Sequence, residues 1–307
     1  MKNSNFKLSF VDNTIFAGKD LEGFYSEALL KGVSKESFRL IPDVKSKAKI
    51  AQLNLGSILQ DGTCSFSPTG EGELSQKTVE VCDVNIGLEW CAQTFERNYL
   101  SDLLRAGSNS DQVMPDTVEA YLVQEVAKKV SNDLEYIVWQ GSGATVASNF
   151  TCAEGLQDKL AADGDVIALT ATTLSASNII SEMNKVYDAI PATVKDNERL
   201  AIYINTKTAG FYRQALASAS AEMYYMQNHR DLEFLGVKII VAPGLGDDKI
   251  VASVQDNLLL LTDLMSDMGE ATILPQRNIS GARTVRFVSD FKFGVDFIYG
   301  SEIVYYA

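Results

Sequence analysis

One histidine, four cysteines and a scatter of carboxylates are what this 307-residue sequence offers to chemistry. His229 sits in YYMQNHRDLEF, which reads as a polar loop. With no second histidine, a histidine metal site, a Ser-His-Asp triad or a Cys-His dyad would have to be built on His229 alone. Cys64, Cys82, Cys91 and Cys152 form no CxxC pair and read as reduced, small hydrophobes. Asp247–Asp248, and Asp263 with Asp267, could be drawn as carboxylate pairs or cation sites. They lack the glycine and the twelve-residue spacing of a calcium-binding loop and read as solvated loop carboxylates. Tyr224–Tyr225 and Tyr305–Tyr306 read as exposed or interface tyrosines. A phosphate-binding loop must precede a helix so that free N–H groups face the anion. The GSG at Gly141–Gly143 instead follows a helical pattern, and GLGDDK at Gly244–Lys249 lies between two strand patterns, so both read as turns. No nucleophile elbow, zinc motif or paired-carboxylate motif is present. The reading is not an enzyme, with no catalytic, cofactor-binding or metal residue assigned.

The composition excludes further classes. Forty acidic side chains against 27 basic ones give a net charge of −13. Such a surface repels phosphate backbones, so sequence-specific binding of DNA or RNA is not expected. No apolar stretch has the length of a membrane span. The opening MKNSNFKLSFVDNT has no uninterrupted apolar run of the signal-peptide kind, which points to assembly in a cytoplasm.

The strongest element is helical. PDTVEAYLVQEVAKKVSNDLEYIVWQG starts with Pro115 and a D-x-x-E box, Asp116 to Glu119. Val123, Val126, Ala127, Val130, Leu134, Ile137 and Val138 recur at three- and four-residue steps, with Lys128, Lys129, Asn132 and Glu135 on the other side. At 1.5 Å per residue this helix runs roughly 35 Å, with Gly141 as its left-handed stop. Upstream, DLEGFYSEALLKG predicts a short helix inside an extended N-terminal arm. Lys49–Gln60 and Lys77–Cys91 read as two strands of an extended hairpin, with a parity switch near Asp83 that suggests a bulge. DGTCSFSPTGEGELSQ between them reads as an exposed, mobile tip. A two-stranded arm needs a third strand or a partner surface to be stable, which points to contacts between subunits.

Downstream, Thr151–Thr173 reads as a linker and SASNIISEMNKVYDAIP as an amphipathic helix stopped by Pro191. RLAIYIN is a buried strand, and Asn205 or Thr206 caps a helix over TKTAGFYRQALASA. GVKIIVAP, KIVASV and NLLLLTDL read as three strands, and the alternating tail from Arg283 as strand again. Strands, a long helix, then mixed elements without βαβ repetition predict an α+β fold.

That order of elements resembles the major capsid proteins of tailed bacteriophages, the Hong Kong 97-type fold that encapsulin compartments share. The resemblance rests on four stretches in sequence. A long helix ends in IVWQGSG, a strand–cap–helix unit reads AIYINTKTAGFYRQAL, and LEFLGVKIIVAPGL and KIVASVQDNLLLLTD follow. It implies an N-terminal arm over residues 1–45, an extended loop over 46–92, a peripheral domain with the spine helix over 93–150 and 266–307, and an axial domain over 151–265. It implies a major capsid protein that assembles with copies of itself, as hexamers and pentamers, into an icosahedral shell around DNA. It further implies a portal and, because the arm starts near Met1, either a mature chain or a separate scaffolding protein. Encapsulin-type shells that load a cargo enzyme are the alternative, and their helix-rich, basic openings differ from MKNSNFKLSFVDNT. Some capsid proteins crosslink an extended-loop lysine to an asparagine. Lys77, expected near the hairpin tip, is the weak candidate, and no motif here supplies the asparagine.

Overall fold

The computed structural model describes residues 14–16, 32–55, 72–91, 115–142, 150–152, 154–219, 232–263, 271–276, 280–282 and 284–307. In chain order these form β1 (Thr14–Phe16), α1 (Val33–Ser37), β2 (Arg39–Ile41), β3 (Lys47–Leu55), β4 (Gly72–Glu80) and β5 (Cys82–Cys91). The long helix α2 (Pro115–Gln140) follows, then α3 (Leu156–Ala162), β6 (Ile167–Leu169), α4 (Ile179–Ala189), α5 (Ala192–Lys195) and β7 (Leu200–Ile204). The chain continues through α6 (Thr206–Ala219), β8 (Leu232–Phe234), β9 (Val237–Val241), β10 (Ile250–Val254) and β11 (Leu258–Thr262). It closes with β12 (Ala271–Pro275), β13 (Thr284–Phe297) and β14 (Val304–Tyr306). The expected α+β class is what the structure has.

Two compact units share these elements. The first takes its residues from Met1–Gly32, Asp83–Leu134 and Asp263–Lys292. There β1 pairs antiparallel with β12, β12 pairs antiparallel with the first half of β13, and β5 also pairs with β13. Side chains along Thr284–Lys292 alternate between buried and more exposed, the period of a strand with one covered face.

The second unit takes Val33–Cys82, Glu135–Thr262 and Phe293–Ala307. Its main sheet has the order β6-β14-β10-β7-β9-β8. β7 and β9 are parallel, with α6 on the crossover between them, while β10 pairs antiparallel with both β7 and β14. Every residue of β7 and of β10 is buried, because each face of the sheet is covered. On one face Ile202, Ile204, Ile250 and Ala252 pack with Ile179, Met183 and Val186 of α4 and with Ala209 and Tyr212 of α6. On the other, Tyr203 meets Trp139, at the end of α2, with ring centroids 5.4 Å apart. A second ladder in this unit pairs β11 antiparallel with the last residues of β13 and parallel with β2. In contrast to Thr284–Lys292, residues Phe293–Phe297 are all buried.

The helix α2 ends as its sequence requires. Gly141 has φ 54 and its N–H donates to the Ile137 carbonyl at 2.8 Å, a left-handed stop that a side chain would oppose. Val126, Ala127, Leu134, Ile137 and Val138 are buried as the periodicity requires.

Several expectations are corrected. The return strand of the hairpin is Gly72–Glu80, so part of the segment read as a tip is strand, and Lys77–Cys91 is not one strand. Val81 breaks it: its N–H donates to the Ser46 carbonyl at 3.0 Å, β4 stays with β3, and β5 joins β13. The supposed linker Thr151–Thr173 contains α3 and β6, the latter pairing parallel with β14. Tyr305 and Tyr306 are buried, not exposed, because β14 lies inside the main sheet. Cys82 and Cys152 are joined in a disulfide across 70 positions, Cα–Cα 6.0 Å, so these two are not the reduced thiols the spacing suggested. Cys91 is free and exposed, while Cys64, His229, Asp267, Tyr224–Tyr225 and the arm helix Asp20–Gly32, but for its last residue, lie outside the described residues.

Candidate assembly interface

The β3–β4 hairpin has two unlike faces, set by its register. Directly opposed antiparallel residues share a face. Lys47↔Glu80, Lys49↔Thr78, Ala51↔Gln76 and Leu53↔Leu74 therefore lie on one side, and all eight residues are exposed. Ala48↔Val79, Ile50↔Lys77 and Gln52↔Ser75 lie on the other. There Val79 is fully buried, and Ala48, Ile50, Gln52 and Lys77 are half-buried. That inner face packs at its root against Val44, Leu259 and Leu261, joined by Ile41 and Ile298. The outer face is exposed along its length, yet it carries Leu53, 54% exposed, beside Leu74, 66% exposed. Two leucines paired across a ladder in water forfeit a contribution of roughly 1.5–3 kcal/mol each that burial would supply.

The root is held by charge as well as by packing. Asp296, at the buried end of β13, accepts Lys77 Nζ on Oδ1 at 3.1 Å and Lys159 Nζ on Oδ2 at 3.0 Å. Lys159 also donates to the Val295 carbonyl at 2.7 Å. Lys77 Nζ lies 3.4 Å from the centroid of the Phe297 ring, so its charge is shared between a carboxylate and a π face. A buried carboxylate is costly unless paired and hydrogen-bonded, and here two cations and the Phe297 N–H satisfy it. Gln52 Nε2 donates to the Ile298 carbonyl. Gly294 lets β13 come close, since a Cβ there would lie 2.5 Å from the Glu80 carbonyl oxygen. Lys77 thus sits toward the root, opposite Ile50, and not near the tip as expected.

A second anchor lies at the start of the second unit, in α1. Helix α1 places Ser34 so that its N–H donates to Glu135 Oε1 at 3.2 Å and its hydroxyl accepts Trp139 Nε1–H at 2.8 Å. Ser37 Oγ and Tyr203 OH are 3.0 Å apart, and Phe38 stands edge-on to both Trp139 and Tyr203. Glu135, read from the periodicity as a residue of the polar side, is therefore buried, with Oε2 lacking a hydrogen bond. Burial pushes its carboxyl above the ordinary range, against the pull of Ser34 and Lys35. Burial likewise lowers Lys35 to about 8, although Glu135 and Glu36 pull the other way. Burial also pushes the Tyr203 phenol up.

The other described carboxylates singled out from the sequence are paired within the chain. Asp83, Asp263 and Asp290 line a cleft of about 260 Å³ with Asn85 and Lys292. Asp263 accepts the Lys292 N–H at 3.0 Å, Asp290 accepts from Asn85, and Asp83 pairs with the Lys292 ammonium at 3.3 Å. Asp247 accepts from Asn205 and Lys207, and Asp248 accepts the Leu174 N–H at 3.0 Å. Among the described residues no group of three or more His, Cys, Asp or Glu could hold a metal ion. Asp296 and Leu53/Leu74 were not singled out from sequence. A lone acid inside FGVDF, and Leu53 sharing parity with Lys47 and Lys49, were the available signals.

No known family model matches the chain, and no curated protein sequence does. Solved structures do. The capsid of an empty GTA particle aligns with TM-score 0.58 at 14% identity, over 92% of this chain and 90% of that one. The procapsid of satellite phage P4, with its size determination protein, gives TM-score 0.56 at 10% identity over 93% and 96%. The chain has the Hong Kong 97-type capsid fold. A virus-like particle from Pyrococcus furiosus shares this capsid fold, with TM-score 0.52 at 13% identity over 93% and 98%. These relatives are structural shell proteins, not enzymes, and no described helix is long and apolar enough to cross a membrane.

Proposed function

We propose that this chain is the major capsid protein of a tailed bacteriophage, self-assembling into the icosahedral shell that encloses the phage DNA. The observation that carries the reading is the hairpin: its root is fixed to its own subunit while its outer face presents Leu53 and Leu74 to solvent. A neighbouring copy supplies the missing surface. A head-to-tail contact of this kind, repeated around hexamers and pentamers, closes into a shell. Each contact is modest, but a subunit held at one meets the next at high effective concentration.

In this reading residues 1–45 are the arm, 46–92 the extended loop, 93–150 with 266–307 the peripheral domain, and 151–265 the axial domain. The net charge of −13 suits a wall that contains DNA without gripping it. A portal and a separate scaffolding protein complete the assembly inside the host cytoplasm, and the mature chain resides in the virion. A second reading, a compartment that loads a cargo enzyme, is favoured by the likeness to the Pyrococcus virus-like particle at the same coverage.

Electron microscopy of the purified protein, with extraction of nuclease-protected nucleic acid from particles formed in infected cells, tests both. Closed shells with protected DNA are the expected result. Shells carrying one defined enzyme and no DNA would replace the first reading by the second, and a strict monomer at all concentrations would overturn both.

A further inference from the structure

We propose that Cys82 and Cys152 form a redox clasp that covalently fixes the root of the extended hairpin. Cys82 is the first residue of β5, two positions past the end of the hairpin and one after the Val81 whose N–H donates to the Ser46 carbonyl just before β3. Cys152 lies between α2 and α3, two positions before Glu154, which bridges Gly141 at the end of the long helix. The bond therefore ties the base of the hairpin to a segment already bridged to the end of α2. Its Cα–Cα distance of 6.0 Å falls within the usual range for a disulfide. The loop it closes spans 70 positions, so the crosslink removes many states from the unfolded chain.

The same root is held non-covalently by Lys77, Asp296 and Lys159. The disulfide adds a covalent tie that only reduction releases. Its chemistry is ordered by exposure, since Cys152 is exposed and Cys82 is 7% exposed. The Cys152 thiolate attacks a sulfur of a low-molecular-weight disulfide such as oxidised glutathione, expelling one glutathione thiolate. The Cys82 thiolate then attacks the Cys152 sulfur of the mixed disulfide and expels the second. Two protein thiols are oxidised, one glutathione disulfide is reduced to two thiols, and the two cysteine protons pass to the departing thiolates. Among the described residues the other cysteine, Cys91, ends β5 and is free.

The test uses the full chain, whether or not it assembles, so its outcome is separate from that of the shell reading. The protein is treated with oxidised glutathione, free thiols are alkylated, and the digest is mapped by mass spectrometry. Trypsin followed by cleavage before aspartate cuts between Cys82 and Asp83 and separates Cys82 from Cys91. The expected result is a Cys82 peptide linked to a Cys152 peptide, with Cys91 alkylated. The urea midpoint of the oxidised chain falls on reduction, and that of the Cys82→Ser/Cys152→Ser variant does not respond to reductant. Full alkylation of both cysteines after oxidation, or Cys82 linked to Cys64 or Cys91, overturns the clasp.

Discussion

The main sheet of the second unit and the β3–β4 hairpin of that same unit bury their strands in opposite ways. β7 and β10 are covered on both faces by helices and by the aromatic cluster of Phe38, Trp139 and Tyr203. The hairpin has two strands of nine residues each, one half-covered face and one face with no cover among the described residues. The sheet draws its stability from its own chain. The hairpin is held at its root by an ion cluster and leaves Leu53 and Leu74 exposed. The difference separates residues that hold the subunit together from residues that the proposed shell would bury, and substitutions can break it in graded steps.

Trp139→Ala should have the largest effect on folding. It removes a fully buried ring, its contacts to Phe38 and Tyr203 and the hydrogen bond to Ser34. A loss of about 3–5 kcal/mol is expected, read as a lower urea midpoint with unchanged slope. Asp296→Ala should cost about 3 kcal/mol, because it leaves Lys77 and Lys159 facing a site built for a carboxylate. The double variant Asp296→Ala/Lys77→Met should recover part of that loss. Failure to recover would mean that the root is held by packing alone.

The α1 anchor gives a pH-dependent step of similar or smaller size. Lys35 has an ordinary value of 10.5 and is lowered to about 8 in the folded chain, so above pH 8 the unfolded state binds more protons than the folded one. Stability therefore rises between about pH 8 and pH 10, and the burial penalty is fully present below pH 8. Tyr203, pushed the other way by burial, opposes the rise above about pH 10. Lys35→Met should flatten the rise, measured as urea midpoints at half-unit steps from pH 7.5 to 10. Glu135 acts at the acid end with the opposite slope. Its raised carboxyl favours the protonated folded form, so stability falls as pH rises from the ordinary carboxylate value of 4.5 to the raised one.

Leu53→Ser/Leu74→Ser should change folding stability least, within about 0.5 kcal/mol, because neither side chain is buried in the subunit. The same variant should lose particle formation by light scattering. A large loss of stability, or normal particles, would erase the contrast between the two regions.

Much of the second unit was legible because burial writes itself into the sequence. RLAIYIN, KIVASV and NLLLLTDL are short apolar runs, the signature of strands covered on both faces. The spine helix was legible from its three- and four-residue spacing and its terminal glycine, and α4 from its face and Pro191. The extended hairpin was legible in outline only. Gly72–Gln76 reads as a loop by composition, and it becomes strand because Lys47–Leu55 offers it a ladder. The linker reading of Thr151–Thr173 failed for a related reason. β6 is three residues long and exists through its pairing with β14, 137 positions away in the register Val304↔Ile167. Glu135 and Asp296 were misjudged or missed because charge is a good marker of the surface, and only partners distant in sequence make burial tolerable.

By itself the sequence determined the class of structure, the long helix, the apolar strands and the absence of recognisable catalytic motifs, because those follow from local periodicity and residue type. The tertiary structure alone decided where Lys77 finds Asp296, which face of the hairpin stays bare, and that Cys82 meets Cys152. Each of these joins residues far apart in the chain, and no local preference encodes which distant group will lie opposite.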